Sequence, residues 1–221
     1  MFTLTEELFL LSLRDGKNSV IVPHSATLPY ALAGAMLVEL ALRGNIRVED
    51  KKWVVPVDNL PIENNEWLKE LLASVRSSQK PRKITYWINQ VGGKGSELER
   101  KLMTLLLEHG ALKEEKKKFQ WVVPFTEYSQ QDTSAKYGRK QQLRDTVLGG
   151  READAQSVVL LRLMKSLDLL GQIFTPDEMK AASSRISVII KDEAIGMPST
   201  EALDSIAAAA LAASMSATFL V

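Results

Sequence analysis

Apolar and small residues dominate one stretch of the chain, Leu28-Pro29-Tyr30-Ala31-Leu32-Ala33-Gly34-Ala35-Met36-Leu37-Val38-Glu39-Leu40-Ala41-Leu42-Arg43-Gly44. Leu32, Ala35, Met36, Glu39, Leu40 and Arg43 recur at spacings of three and four, which predicts a helix. Pro29 suits its first turn, where a missing N–H leaves no partner wanting. Gly44 stands where a C-terminal cap requires positive φ, and Arg43 puts a cation at the negative end of the dipole. Ala33, Gly34 and Ala41 offer a smooth face for close approach of a neighbouring helix. Glu39, the polar residue in the middle, is expected at the solvent edge or in an ion pair, because unpaired charges rarely stay buried.

The same reading extends along the chain. Thr3 and Glu6 form a capping box ahead of Leu8-Phe9-Leu10-Leu11. Trp67, Leu68, Leu71, Leu72 and Val75 mark one amphipathic helix. Ile84, Trp87, Ile88 and Val91 mark another, ended by Gly92-Gly93. Residues 126–156 are polar, with Gly138, Gly149 and Gly150, and are expected to form an irregular, mobile connection. Val158 to Leu170 is apolar nearly all round and predicts a central helix. Thr175-Pro176-Asp177-Glu178 opens a further helix, running to about Ile190.

Two segments repeat. Gly44 is followed by Ile46, a charged turn, and Trp53-Val54-Val55-Pro56; Gly110 is followed by Leu112, a charged turn, and Trp121-Val122-Val123-Pro124. Each reads as a helix followed by a β-hairpin, over 46–55 and 112–123, with its charged tip in water. The helix before the second copy runs from Leu98 to His109. Duplication explains the pair, as does the independent suitability of both sequences for hairpins; duplication is the preferred reading. The expected fold is mainly α, one globular helical domain over residues 1–221 with two small hairpins after glycine-capped helices.

Charge then narrows the function. Helix-then-hairpin is also the outline of a winged-helix DNA binder, but such domains carry a basic face. Here 28 basic residues meet 27 acidic ones, a net charge of +1. A nucleic-acid partner is therefore the least favoured reading. There are no cysteines, which removes disulfides and thiolate metal sites and suits a reducing cytosol. Acidic Glu6 and Glu7 stand where a signal peptide needs base. Residues 206–221 are mainly alanine and other small or apolar types, and a membrane span needs roughly 20 strongly apolar residues. A buried C-terminal helix packed by its small face is expected instead.

No catalytic constellation emerges, and neither an enzyme nor a cofactor is expected. The two histidines, His24 and His109, lack a second ligand at metal-binding spacing. Gly92-Gly93-Lys94-Gly95-Ser96 imitates a phosphate loop but follows a predicted helix and lacks the Walker glycine spacing. It reads as a helix–helix connection, one whose backbone N–H groups can still face an anion because a helix begins there.

Three strings carry a family resemblance: Thr5-Glu6-Glu7-Leu8-Phe9-Leu10-Leu11-Ser12-Leu13, the segment from Tyr30 to Gly44, and Leu106-Leu107-Glu108-His109-Gly110. In order and spacing they resemble the Golgi phosphoprotein 3 family, Glu39-Leu40-Ala41-Leu42-Arg43-Gly44 being the most specific. The resemblance implies a mainly helical domain peripheral to membranes, which in eukaryotic members recognises phosphatidylinositol 4-phosphate and helps to retain glycosyltransferases in the Golgi. It also implies a lipid pocket made of a tryptophan, an arginine in the alanine-rich helix, and two arginines opening a later helix. Those positions hold His24, Ala33, Ser96 and Glu99 here. Arginine forks grip phosphate bidentately, so their replacement leaves the lipid's identity open. Lys94, Arg100 and Lys101 stand nearby in sequence as substitutes.

The basic tail through which eukaryotic relatives engage coat proteins has no counterpart ahead of Thr3, which fits a divergent, prokaryotic relative. The leading expectation is a cytoplasmic, non-catalytic domain peripheral to membranes. It would bind anionic lipid head groups through His24, Lys94, Ser96, Arg100 and Lys101, with a homo-oligomer an open option. The alternative is a soluble protein–protein scaffold docking a partner through 126–156.

Overall fold

The structure is a computed structural model, describing residues 2–15, 20–21, 26–57, 62, 65–119, 123–130, 133–166, 168–191 and 200–218. The chain begins with α1 (Leu4–Ser12), the short strands β1 (Arg14–Asp15) and β2 (Val20–Ile21), and α2 (Leu28–Leu42). A hairpin of β3 (Ile46–Glu49) and β4 (Trp53–Pro56) follows, then α3 (Glu66–Ser77), β5 (Arg82–Lys83), α4 (Ile84–Gly92) and α5 (Gly95–Glu108). The second hairpin, β6 (Leu112–Phe119) and β7 (Val123–Gln130), leads to α6 (Thr133–Val147), α7 (Ala155–Ser166), α8 (Pro176–Lys191) and α9 (Thr200–Thr218). The protein is mainly α, as the sequence predicts.

The apolar composition of α2 places it at the centre. Every residue from Ala31 to Ala41 is buried, and α2 packs against α1, α4, α5 and α9. Its small face meets the alanine face of α9, Gly34 lying against Ala210. The alanine-rich C-terminal segment is thus a core helix; among the described residues no helix is long and apolar enough to cross a membrane. Glu39 is buried and paired: its carboxylate accepts from Arg43 Nη2 at 2.6 Å and from the Leu4 backbone N–H at 2.9 Å. That second bond joins α2 to the start of α1, where Thr3 and Glu6 form the expected capping box.

Both glycine caps are Schellman motifs. Gly44 and Gly110 share φ of 71°. In each copy the glycine N–H and the next N–H turn back to carbonyls of the last helical turn: Gly44 to Ala41, Asn45 to Leu40, Gly110 to Leu107 and Ala111 to Leu106. A side chain at positive φ is strained, so glycine fixes both exits from helix to strand. The first hairpin closes through Asp50 and Lys51, both at positive φ, with Lys52 N–H donating to Glu49 O. β5 adds a third antiparallel strand beside β4.

The second hairpin is longer than the predicted 112–123. The charged run 113–118 is strand rather than turn, and its partner runs from Val123 to Gln130. Trp-Val-Val-Pro is the return strand in the first copy; in the second, Val123 and Pro124 belong to the return strand and Trp121 and Val122 lie outside the described residues. The charged run joins the strand because period-2 pairing, not the position of the charges, sets how far the arms of a hairpin run.

Two further expectations are corrected. Residues 126–156, read as an irregular connection, contain the end of β7 and all of α6. Polar side chains of α6 find tertiary partners: Lys136, 1% exposed, donates to Leu13 O at 2.8 Å, and Arg139 Nε reaches Glu7 Oε2 at 3.0 Å. Burial raises the Glu7 carboxyl above its ordinary value against the lowering pull of Arg139. The helix predicted over 158–170 stops at Ser166. Asp168 takes φ of 56°, and Leu169 N–H turns back to Met164 O, a Schellman end formed without glycine. What remains of α7 is central as expected, with Ser157 to Met164 all buried.

Candidate head-group surface and an aromatic cleft on α5

The predicted phosphate-binding connection is a tight joint between α4 and α5 laid on the start of α2. A Cβ on Gly92 would stand 2.7 Å from the Tyr30 ring, and one on Gly95 the same distance from Pro29 Cγ. Glycine is required here by the closeness of another helix. Lys94 is the N-cap of α5 and supplies no side-chain hydrogen bond. The first N–H groups of this 14-residue helix are thereby left for solvent or an anion.

α5 distributes the candidate residues over different faces. Lys94, Glu97, Leu98 and Lys101 line a cleft between α3, α4 and α5. Ser96, Glu99 and Arg100 lie roughly 110–150° around the helix from that line. Lys94, Ser96 and Arg100 are exposed, and Glu99 is half-buried. Lys101 belongs to the cleft: its Nζ is 3.0 Å from Glu97 Oε1, 3.9 Å from Glu70 Oε2 and 4.6 Å above the Trp67 ring. The Lys101 hydrogen bond holds the Glu97 carboxyl below its ordinary value, with Lys94 and Arg100 adding to the pull. Five candidates therefore do not form one cluster. Lys94 and Lys101 line the cleft, Ser96 and Arg100 lie on another face of α5, and His24 lies outside the described residues. Ala33, at one position where the family pattern has arginine, is fully buried within α2.

The cleft has a volume of about 520 Å³. Met36, Leu71, Val91 and Leu98 give it apolar walls, and Trp67, Tyr86 and Trp87 give it aromatic ones. Trp87 stands edge-on to Tyr86 at 5.0 Å, and the Arg82 guanidinium lies 5.0 Å over the Tyr86 ring. Sequence reasoning assigned Trp67 and Trp87 to helix packing and passed over Arg82 and Tyr86. The one available signal was Tyr86 beside Trp87, too many large aromatics for the buried stripe of a nine-residue helix.

A family profile described as Golgi phosphoprotein 3 (GPP34) matches residues 4–217. Vacuolar protein sorting-associated protein 74 of Eremothecium gossypii is 26% identical over 174 residues, covering 70% of this chain and 51% of the relative. The chain thus spans about half the length of that curated relative. With the match running across nearly every described element, from α1 to α9, the chain belongs to the Golgi phosphoprotein 3 (GPP34) family.

Proposed function

We propose that this chain is a non-catalytic, cytoplasmic protein that sits peripherally on membranes and binds anionic lipid head groups at the opening of α5. The observation that carries this reading is the uncapped start of α5, flanked by exposed Lys94, Ser96 and Arg100. Free N–H donors and the positive end of a helix dipole, with Lys94 at the N-cap and Arg100 in the second turn, supply the chemistry that receives a phosphate. Family membership supports the same reading.

The head group is of the phosphoinositide type by resemblance, gripped differently. Ala33 cannot replace a guanidinium, and Glu99 opposes one. Lys94 and Arg100 therefore provide the charge, while Glu97 and Glu99 weaken their field. Affinity is modest and falls with salt, because exposed charges are screened over about 8–10 Å.

Flotation with vesicles of phosphatidylcholine alone, or with added phosphatidylserine or phosphatidylinositol 4-phosphate, tests the proposal. The anionic vesicles should capture the protein, and Lys94→Ala with Arg100→Ala should abolish capture without lowering the thermal midpoint. Equal capture by neutral vesicles, or undiminished capture of the folded double variant, would overturn it.

A further inference from the structure

We propose that the cleft between α3, α4 and α5 is a second binding site, one that takes a small amphipathic organic anion. Its acidic group, a carboxylate or phosphate ester, is received by Arg82 and Trp87, and its apolar body lies against Met36, Leu71 and Val91. This goes beyond head-group binding and uses the interior of the cleft, whose lining includes Lys94.

Three observations lead there. The first is size and lining: about 520 Å³, walled by apolar and aromatic side chains with a few polar groups among them, falls in the range of small-molecule sites. The second is a pair of unanswered donors. Trp87 is 4% exposed, and its Nε1 is buried with no hydrogen-bond partner; Arg82 Nε is buried and unpartnered as well. Both residues line the cleft. Buried N–H groups in folded chains are nearly always paired, and both of these call for an acceptor.

The third observation is the charge distribution. The two carboxylates of the cleft, Glu70 and Glu97, are both engaged with Lys101. At the other end of α3, Arg82 is accompanied by Ser74, Ser77, Ser78 and Gln79, with no acidic side chain. Among the described residues Arg82 makes no ion pair, and its guanidinium rests on the Tyr86 ring. Arg82 and Lys94 are the cations of the cleft without a carboxylate bound to them, so the missing acceptor is an anion. Both donors are closed to solvent, so a flat lipid surface does not meet them; an acceptor comes to them through the cleft that their residues line, by a small shift of the lining side chains.

Calorimetric titration of the full chain tests the site with four probes: 1-naphthyl phosphate, 1-naphthaleneacetate, 1-naphthalenemethanol and inorganic phosphate. One of the two naphthyl anions should bind at least about tenfold more tightly than the neutral alcohol and inorganic phosphate, the difference one charged hydrogen bond makes. Which anion binds better tells phosphate ester from carboxylate. Arg82→Gln and Trp87→Phe should each weaken that anion by about tenfold, with far-ultraviolet circular dichroism confirming the fold. If Trp87→Phe does not fold, Arg82→Gln alone decides. Arg100→Ala, on another face of α5, should leave naphthyl anion binding unchanged. Equal binding of the alcohol, undiminished binding by folded Arg82→Gln, loss on Arg100→Ala, or no binding by any probe would each overturn the proposal. Vesicle capture does not depend on this result, so the two readings fail separately.

Discussion

Glu39 offers the sharpest test of how the core is held together, because one side chain does two separable things. Its Oε2 accepts from Leu4 N–H at 2.9 Å, a donor in the first turn of α1 that has no partner within its own helix. Its Oε1 receives Arg43 Nη2 at 2.6 Å. The Glu39 side chain is 8% exposed, while that of Arg43 is 39% exposed. Replacing Glu39 by alanine leaves the Leu4 N–H buried without an acceptor, which costs roughly 1–3 kcal/mol. The half-exposed ion pair contributes roughly 0.2–1 kcal/mol more. Together these set a loss of roughly 1–4 kcal/mol.

Glu39→Gln separates the two contributions. The amide oxygen still accepts from Leu4 and only the ion pair is weakened, so the expected loss is roughly 0.2–1 kcal/mol. Arg43→Ala should fall in the same small range. Urea unfolding of the three variants at pH 7 measures these differences, with an unchanged m-value showing that the unfolded state is comparable. The reasoning is refuted if Glu39→Gln costs as much as Glu39→Ala, since charge and not the acceptor would then matter. A loss below about 0.5 kcal/mol for Glu39→Ala would refute it as well.

Leu163, 1% exposed in α7, should cost about 2–5 kcal/mol when truncated to alanine; a loss below about 1 kcal/mol by chemical denaturation would remove α7 from the core. The Arg144 guanidinium, which clasps Glu178 between α6 and α8, together with the Thr175 backbone N–H, holds the Glu178 carboxyl down to about 2 from an ordinary 4.5. A lowered folded-state value means the stabilisation is complete above about pH 4.5 and is lost as pH falls towards 2. Thermal melts of Arg144→Gln should therefore be less pH-dependent than wild type in that window; identical profiles would dissociate the pair from folding. Lys136→Met removes the buried ammonium that caps Leu13 O and should lower the melting midpoint, while the exposed Lys180 tolerates the same change; equal midpoints would count against a structural role for Lys136.

Local chemistry is what the sequence displays. Thr3 with Glu6 and the two glycines at 44 and 110 each act through neighbours a few residues away, and all three features stand where the sequence places them. Elements whose determinants are distant in sequence were harder to see. α6 has no apolar stripe to announce it; Lys136 is held by Leu13 and Arg139 by Glu7, partners more than a hundred residues earlier. The end of α7 was missed because Asp168 occupies the left-handed position that glycine usually marks. The cleft was invisible for a geometric reason. Trp67, Arg82, Trp87 and Lys94 become one lining only when α3, α4 and α5 converge, and no spacing rule reports a convergence of three elements.

On the proposed head-group reading, the division of charge over α5 also constrains how firmly a membrane is held. Lys101 is committed to Glu97, Glu70 and the Trp67 ring, which leaves exposed Lys94, at the cleft, and Arg100, on another face, as the cations near the start of α5. Each basic residue near an anionic leaflet contributes about 1 kcal/mol, so two give about 2 kcal/mol, far short of stable residence on a bilayer. Free N–H groups at the opening of α5 add specificity for a phosphate without adding net charge. Lasting association then requires either several copies acting together, where linkage raises avidity without any new contact, or a further membrane contact elsewhere on the chain. On that reading a single copy samples membranes and leaves them quickly, whereas an assembly of copies stays.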